Sequence, residues 1–267
     1  MSDPLPAITE AEASGEIADL FADIRSTVGV RVVNLVWRHL ATMEGALPWA
    51  WAAVKPLYLA GLPDAAMAAF HRTMDVPKLA SLAGEEPATV DAVLASYDHS
   101  NTINLFALGA LRAWLNGEVA SHGTIVPGPR KPSPDLALPR LASEGDVDPA
   151  TWALVLRLNK FGDEPQPLIL ASMDRHLAHA SSFLRRVETA LAPVAADGSL
   201  RRAVLDNRRT AAGLSADIAR AISAARPAQA VEIEKAVGLF VDHAIGKMDT
   251  ICRAIRLARG VPLPLPS

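Results

Sequence analysis

The chain has 267 residues, of which 50% are hydrophobic and 21% are charged, and its formal net charge is −3. This apolar content is enough for a buried core and excludes global disorder. The mild negative charge, without any basic block, argues against nucleic acid or an anionic membrane as the main partner. The single cysteine, Cys252, excludes an intrachain disulfide framework and a metal cluster built from cysteines alone.

The sequence carries no pattern for export or membrane insertion. Its first residues lack the positive and apolar regions of a secretory signal peptide. The longest nearly apolar stretch, Ala46 to Leu62, is shorter than a membrane span and contains Lys55. We therefore expect a soluble cytoplasmic protein that does not bind membranes.

Apolar residues recur with the helical period along the whole chain. The clearest stripes run from Ile17 to Ile24, from Val90 to Leu115 and from Val237 to Ile255. The last stripe predicts one continuous helix that ends at Gly260, shortly before a proline. No segment alternates strictly between apolar and polar residues for more than a few positions. The sequence therefore predicts an all-α protein.

A proline-rich segment divides the chain near its middle. Five prolines fall within thirteen residues, from Pro127 to Pro139. Such a stretch cannot continue a helix and is typical of a stiff, extended connector. We therefore predict a helical repeat over residues 10–120, a linker over 121–147 and a second helical repeat over 148–261.

The two halves resemble each other in sequence, which indicates an internal duplication. The segment Arg38-His39-Leu40-Ala41 recurs as Arg175-His176-Leu177-Ala178, at an offset of 137 residues. The same offset relates Pro56 to Pro193. Two equivalent half-domains can bury their broad apolar faces against each other. We predict two tandem repeats that form an intramolecular pseudo-dimer around a central pocket, a place suited to a small ligand.

Polar residues that interrupt an apolar stripe are candidates for function. Asn101 lies four residues after Tyr97 and four before Leu105, directly on the second stripe. A buried amide needs a hydrogen-bond partner, so Asn101 faces either a ligand, a neighbouring helix or a buried water. Asp174 lies in the first turn of a short predicted helix, where a carboxylate is either functional or simply a solvated partner of the helix dipole.

Histidines and serines give no second catalytic pattern. His176 and His179 have the spacing of two metal ligands on one helical face, but no third ligand follows at a suitable distance. No nucleophile elbow and no glycine-rich phosphate loop occur in the sequence. We therefore predict no metal site and no phosphate-binding cofactor.

Several short segments follow one another in an order that is typical of a known family: Ala13-Ser14-Gly15-Glu16, Asp23-Ile24-Arg25, Leu40-Ala41-Thr42, Leu47-Pro48, Ala50-Trp51 and Leu191-Ala192-Pro193-Val194. In this order and spacing, from about Ala13 to Arg256, the chain resembles the group I 2-haloacid dehalogenases (DehI-type). These enzymes act on both D- and L-substrates. No single motif is diagnostic, and the similarity is weak around the linker.

The resemblance implies an all-helical hydrolase of carbon–halide bonds that uses neither metal nor organic cofactor. An aspartate acts as general base on a water that displaces halide at Cα of a small 2-halocarboxylic acid, with inversion. Asn101 falls on the pocket asparagine that orients this water, Ser172 on a pocket serine and Ile245 on a pocket isoleucine. The partner implied is therefore a small, carboxylate-like molecule.

The chain departs from the family pattern at the base. The expected aspartate position reads Met173 when Leu177-Ala178 is kept in register, and a second register places Ser172 there; the nearest carboxylate is Asp174. Three aromatic wall positions are occupied by smaller residues, Val32, Leu35 and Val241. We predict Asp174 as general base and Asn101 as the residue that orients the water. The predicted binding residues are Ser172, Met173, Val32, Leu35, Val241 and Ile245.

Two alternatives remain open on the sequence. A divergent, non-dehalogenating member of the family would bind a small apolar or carboxylate ligand between the repeats, which the methionine at position 173 favours. A plain helical interaction module would exist to dimerise, and a homodimer is left open for either case.

Overall fold

The computed structural model describes residues 5–130, 137–162 and 169–260. These residues form helices, turns and loops, with no strand among them, so the all-α prediction is confirmed. The helices before the proline-rich segment are α1 (Gly15–Val28), α2 (Leu35–Leu40), α3 (Ala46–Leu59), α4 (Leu62–Thr73) and α5 (Ala88–Asn116). Those after it are α6 (Pro149–Leu158), α7 (Ser172–Leu177), α8 (Ser181–Ala196), α9 (Ser199–Ile218), α10 (Ala230–Leu239) and α11 (Gly246–Arg259). None of the described helices is both long and apolar enough to cross a membrane.

Local sequence explains where individual helices begin and end. Asp148 accepts hydrogen bonds from the backbone N–H groups of Ala150 and Thr151 at 3.1 and 3.0 Å, and Pro149 occupies the first helical position. This combination fixes the start of α6. The long helix α5 ends at Gly117, whose φ of 73° is favourable for glycine.

The apolar side chains pack into two buried clusters. The first combines α1–α4 with the second half of α5, the end of α9 and α10. The second combines α6–α8 and α11 with the first turns of α5 and the beginning of α9. Each cluster therefore draws on both halves of the chain, and α5 and α9 pass through both. The clusters do not coincide with residues 10–120 and 148–261, whose boundaries as repeats stay a prediction.

The segments that match in sequence also occupy similar positions in the order of elements. Helices α2 and α7 each have six residues, and each precedes a longer helix of 14 or 16 residues. Pro56 and Pro193 both lie inside these longer helices. These matches support the proposed duplication, which itself stays a prediction.

The proline-rich segment is attached to the helices over most of its described length. The Asp217 side chain on α9 accepts hydrogen bonds from the backbone N–H groups of Thr124 and Ile125 at 2.5 and 3.0 Å. The N–H of Gly128 donates to the carbonyl of Ala60 at 3.3 Å. The predicted linker is therefore packed against the domain here; residues 131–136, which include two of its prolines, lie outside the described residues.

One helix predicted as continuous is interrupted. Between α10 and α11 the chain forms a π-helical turn, Phe240–Ile245. A Cβ atom at the next residue, Gly246, would lie 2.4 Å from the carbonyl oxygen of Val241, so this wider turn requires glycine there. The single helix predicted from Val237 to Ile255 was wrong in this respect, because a hydrophobic stripe does not reveal one inserted residue.

Candidate functional site

A cavity of about 380 Å³ lies between α2, α5, α7, the π-helical turn and α11. Its remaining walls come from the loop before α2 and from residues 138–141 of the proline-rich segment. We call it the α5–α7 cavity. Its polar lining side chains are Arg31, Asn34, Arg38, Ser96, Tyr97, Ser100, Asn101, Arg140, Ser172 and His176. Most of its other lining residues are aliphatic, with Met173, Met248 and Phe240 among them.

Helical spacing explains which side chains of α5 and α7 reach the cavity. Successive residues of an α-helix are rotated by about 100°. Ser172, Met173 and His176 therefore project within an arc of about 100° on α7. On α5, Tyr97 and Asn101 are separated by four residues and share one face. Each helix thus presents a narrow polar strip to the cavity.

The structure brings most of the predicted site residues to this cavity. Asn101, Leu35 and Ile245 line it, and Asn101 is 7% exposed. Ser172 and Met173 contribute from the first turn of α7. Val32 also lines it, with a relative exposure of 49% that places it at the mouth.

Two predicted site residues lie elsewhere. Val241 lines a separate cavity of about 80 Å³, together with Gly109 and Arg112 of α5 and residues of α9. Asp174 is not among the residues described as lining the α5–α7 cavity. Two residues after Ser172, it is rotated from it by about 200° around the helix axis. Of the two residues predicted to act on the water, Asn101 lines the cavity, and Asp174 lies close enough to Tyr97 for its charge to influence the pKa of that phenol.

Asp174 is buried on α7, where the charge of Lys247 on α11 acts on it. Its relative exposure is 4%. Burial raises its pKa to about 7, and the nearby ammonium of Lys247 opposes this shift. Lys247 Nζ donates to the carbonyl of Asn159 at 2.7 Å, and Asn159 Oδ1 accepts from the backbone N–H of Ala171 at 2.9 Å. Asp174 therefore has a pKa in the range of a general base, and its role as one stays a prediction.

His176 is the titratable imidazole on the cavity wall. It is 5% exposed, and its ring meets that of Tyr97 edge-on at a centroid distance of 5.7 Å. Burial lowers the pKa of His176 to about 4, and the charges of His179 and Arg175 act in the same direction. Within the described part of the chain, its Nδ1 has no hydrogen-bond partner. The imidazole is therefore neutral near pH 7.

Tyr97 connects this histidine to the serine at the start of α7. Burial raises the pKa of Tyr97, and the charge of Asp174 adds to this shift, whereas a hydrogen bond with Ser172 and the charges of Arg175 and Arg38 oppose it. The phenol is consequently neutral at physiological pH. Tyr97, Ser172 and His176 form one polar cluster, within reach of the positive charge of Arg38.

The cavity presents hydrogen-bond donors and positive charge. Three arginines line it, of which Arg140 pairs with Asp146 at the surface. No aspartate or glutamate is found among its described lining residues. An anionic ligand fits such a lining better than a cationic one. Nowhere in the described ranges do three or more His, Cys, Asp or Glu side chains cluster in a way that could hold a metal ion.

A buried asparagine supports the wall at α2. Asn104 Oδ1 accepts hydrogen bonds from Trp37 Nε1 at 3.0 Å and from the Tyr58 hydroxyl at 2.9 Å. Its Nδ2 donates to Ser100 O at 2.7 Å and to Asn34 Oδ1 at 3.3 Å. Both of these acceptor residues line the cavity. Asn104 therefore links α2, α3 and α5 and positions polar groups that it does not itself contribute.

Sequence reasoning missed the roles of Tyr97, His176 and Arg38 in the cavity wall. Tyr97 counted as one more apolar residue of its stripe, and His176 was considered only as a metal ligand. The repeated Arg-His-Leu-Ala segment was the available signal. Of its two copies, Arg38 and His176 line the cavity. His39 instead has its Nδ1 at 2.7 Å from the carbonyl of Pro6.

Solved structures of D-2-haloacid dehalogenases share this fold. Three of them are a D-2-haloacid dehalogenase mutant and a D-2-haloacid dehalogenase in complex with L-LA, both with a TM-score of 0.68, and a D-2-haloacid dehalogenase mutant with D-2-CPA, with a TM-score of 0.67. Each is 16% identical to this chain, and the alignments cover 95% of this chain and 96% of the other. No family model and no curated protein matches the sequence. At this identity the similarity establishes the fold.

Proposed function

We propose that the chain is a hydrolase of the 2-haloacid dehalogenase type, in which water displaces halide from Cα of a 2-halocarboxylic acid bound in the α5–α7 cavity. The observation that carries this proposal is the combination of donor groups and apolar walls in one cavity of a dehalogenase fold. A haloacid needs both, because its carboxylate seeks hydrogen-bond donors and its carbon–halogen end seeks apolar contact. Membership of this chain in the group I (DehI-type) 2-haloacid dehalogenases is part of the same proposal.

The bound acid is held by its carboxylate near Arg38 and the Tyr97–Ser172 pair. Asn101, on the same face of α5 as Tyr97, orients the attacking water. The water oxygen forms the new bond to Cα while the carbon–halogen bond breaks, and halide leaves with the bonding electrons. One water proton passes to a base and then to solvent, and the product is a 2-hydroxy acid of inverted configuration. Positioning of water and Cα supplies most of the catalysis in such a scheme.

His176 is the better-placed proton acceptor. It lines the cavity and is neutral at pH 7, with a pKa of about 4, close to that of an ordinary carboxyl group. Asp174, the acceptor expected from the sequence, is not among the described lining residues. A general base must come within hydrogen-bond reach of the proton that it takes, directly or through one water. Position therefore favours His176.

Halide release from D- and L-2-chloropropionate tests the proposal. We expect chloride and 2-hydroxypropionate in equal amounts, with the configuration at Cα inverted. In a single turnover in H2¹⁸O, direct attack by water places the label in the product, whereas an ester intermediate places an enzyme oxygen there. Absence of chloride release from both enantiomers would refute dehalogenation.

A second candidate is a non-hydrolytic protein that binds a small carboxylate in the same cavity. The absence of a carboxylate among the described lining residues favours it, since the usual base of such water attack is then missing from the wall. This candidate predicts stabilisation by unhalogenated acids together with no chloride release.

A further inference from the structure

The size of the α5–α7 cavity exceeds that of the smallest haloacids. Its volume is about 380 Å³. A group of the size of water takes up roughly 30 Å³ in the liquid, so the six heavy atoms of 2-chloropropionate would occupy roughly 180 Å³. A 2-chlorooctanoate has eleven heavy atoms and would occupy roughly 330 Å³ on the same scale. A three-carbon acid therefore leaves about half of the space unfilled.

The unfilled space has apolar walls. The π-helical turn and α11 present Phe240, Ala244 and Met248, which are spaced four residues apart along the chain. Ile169 and Leu170 from the segment before α7 add further aliphatic surface. Such a wall offers no hydrogen bonds to a substrate, and water held against it is displaced favourably by an alkyl chain.

The polar lining consists of one connected cluster and of separate polar side chains at Arg31, Asn34, Ser96, Ser100, Asn101 and Arg140. Tyr97, Ser172 and His176 form one connected cluster, with the charge of Arg38 acting on Tyr97. This cluster is sufficient for one carboxylate. The remaining lining is mostly aliphatic, and Val32 at the mouth is itself an exposed apolar residue. A ligand with one anionic head and one alkyl tail matches this distribution.

We infer that the cavity binds straight-chain 2-substituted carboxylic acids of about six to eight carbons in preference to three-carbon acids. The inference rests on the proposed function for the 2-substituent, but binding of the acid itself requires no chemistry. The head lies at the Tyr97–Ser172 cluster, and the tail lies along Phe240, Ala244 and Met248.

Calorimetric titration of the intact protein with propionate, hexanoate and octanoate tests the inference. These acids carry no halogen, so binding is measured without turnover. A fully buried methylene improves affinity roughly fourfold, and we expect octanoate to bind at least about tenfold more tightly than propionate. Equal affinities, an affinity that falls with length, or no binding of any of the three would overturn the inference.

Variants that fill part of the α5–α7 cavity locate the alkyl tail of the bound acid. Ala244→Leu occupies the apolar wall, and Ser96→Leu narrows the cavity from α5. Each is expected to reduce the octanoate-to-propionate affinity ratio by about fivefold or more. The matched control is Ala52→Leu, at an exposed position of α3, which leaves the ratio unchanged. Unaltered ratios in both folded filling variants, as judged by circular dichroism, would place the tail elsewhere and refute the assignment.

The outcomes for the two proposals are separable. Length-dependent binding without chloride release from any 2-chloro acid refutes the hydrolase and leaves the ligand class intact. Chloride release that is fastest with 2-chloropropionate, together with affinities that do not depend on length, refutes the ligand class and leaves the hydrolase intact.

Discussion

Met173 and Asp174 are neighbours on α7 whose side chains project about 100° apart around the helix axis. Met173 lines the α5–α7 cavity, whereas Asp174 is not among its described lining residues and is buried near Lys247, where burial raises its pKa to about 7. Moving the carboxylate to the cavity would require α7 to turn by about 100°, which would take Ser172 and His176 with it. The side of the helix therefore decides which residue can meet a substrate.

Replacing Asp174 with Asn tests its buried state through the pH dependence of stability. Burial raises the pKa of this carboxyl to about 7 in the folded protein, from an ordinary value of 3.8. The stability that the protonated Asp174 carboxyl contributes is fully present below pH 3.8. It is lost as the pH rises to about 7, because over this range the carboxyl ionises more readily in the unfolded chain than in the folded protein. We expect Asp174→Asn to gain stability relative to wild type between pH 4 and pH 8, by up to about 4 kcal/mol.

Urea unfolding at several pH values measures this difference. The control is Asp19→Asn, which removes an exposed carboxylate of α1 and against which the pH dependence of Asp174→Asn is compared. A difference for Asp174→Asn that does not change with pH would show that the carboxyl ionises in the folded protein as readily as in the unfolded chain.

Replacing His176 with Gln tests the proton acceptor. If the imidazole takes the proton from water, His176→Gln should lower chloride release by about 10² to 10⁴-fold, the usual contribution of a general base. Asp174→Asn should retain most of the chloride release of the wild-type protein. The matched control is His39→Gln, at the corresponding position of the repeated segment, where the ring contacts Pro6 outside the cavity. Full activity of His176→Gln, or loss of activity in Asp174→Asn, would contradict the assignment.

Replacing Gly246 with Ala tests the π-helical turn. The added methyl would lie 2.4 Å from the carbonyl oxygen of Val241, so the turn must open. We expect a loss of about 1–3 kcal/mol in the free energy of unfolding. Gly213→Ala in α9 is the control, because no atom lies within 4 Å of its added Cβ. There the substitution should stabilise the protein by up to about 1 kcal/mol. Equal effects of the two substitutions would contradict the role given to Gly246.

Replacing Asp98 with Asn tests the buried ion pairs between α5 and α11. Asp98 Oδ2 accepts from Arg253 Nη1 at 2.9 Å and from Arg256, and all three side chains are less than one-tenth exposed. The substitution leaves two guanidinium groups buried without their carboxylate, at a cost of about 3–5 kcal/mol. The exposed pair of Asp206 and Arg209 provides the comparison, since Asp206→Asn should cost less than about 1 kcal/mol. Similar losses for both would indicate that the buried pairs contribute no more than a surface pair.

The pattern of apolar residues predicted the positions of the helices more accurately than the breaks between consecutive helical segments. The stripes from Ile17 to Ile24 and from Val90 to Leu115 fall within α1 and α5. The stripe from Val237 to Ile255 instead spans α10, the π-helical turn and α11. Hydrophobic periodicity reports which face is buried, and one extra residue in a turn changes that pattern too little to be detected.

The sequence predicted those features of the candidate site that depend on residue type and on position around a single helix. Asn101 is polar on an apolar stripe, and this alone singled it out. Asp174 was singled out as a carboxylate, although the offset of 137 residues pairs it with Trp37, a fully buried side chain that donates to Asn104. That pairing was the signal in the sequence that its position points into the core.

The sequence by itself determined the helical class, the polar interruption at Asn101 and the repeated Arg-His-Leu-Ala segment. These depend on spacing along one helix, which the order of residues specifies directly. Only the tertiary structure decided that Tyr97, Ser172, His176 and Arg38 meet in one cavity, whose described lining does not include Asp174. The physical reason is that such meetings depend on how separate helices rotate and pack against one another, and this is set by side chains far apart in the chain.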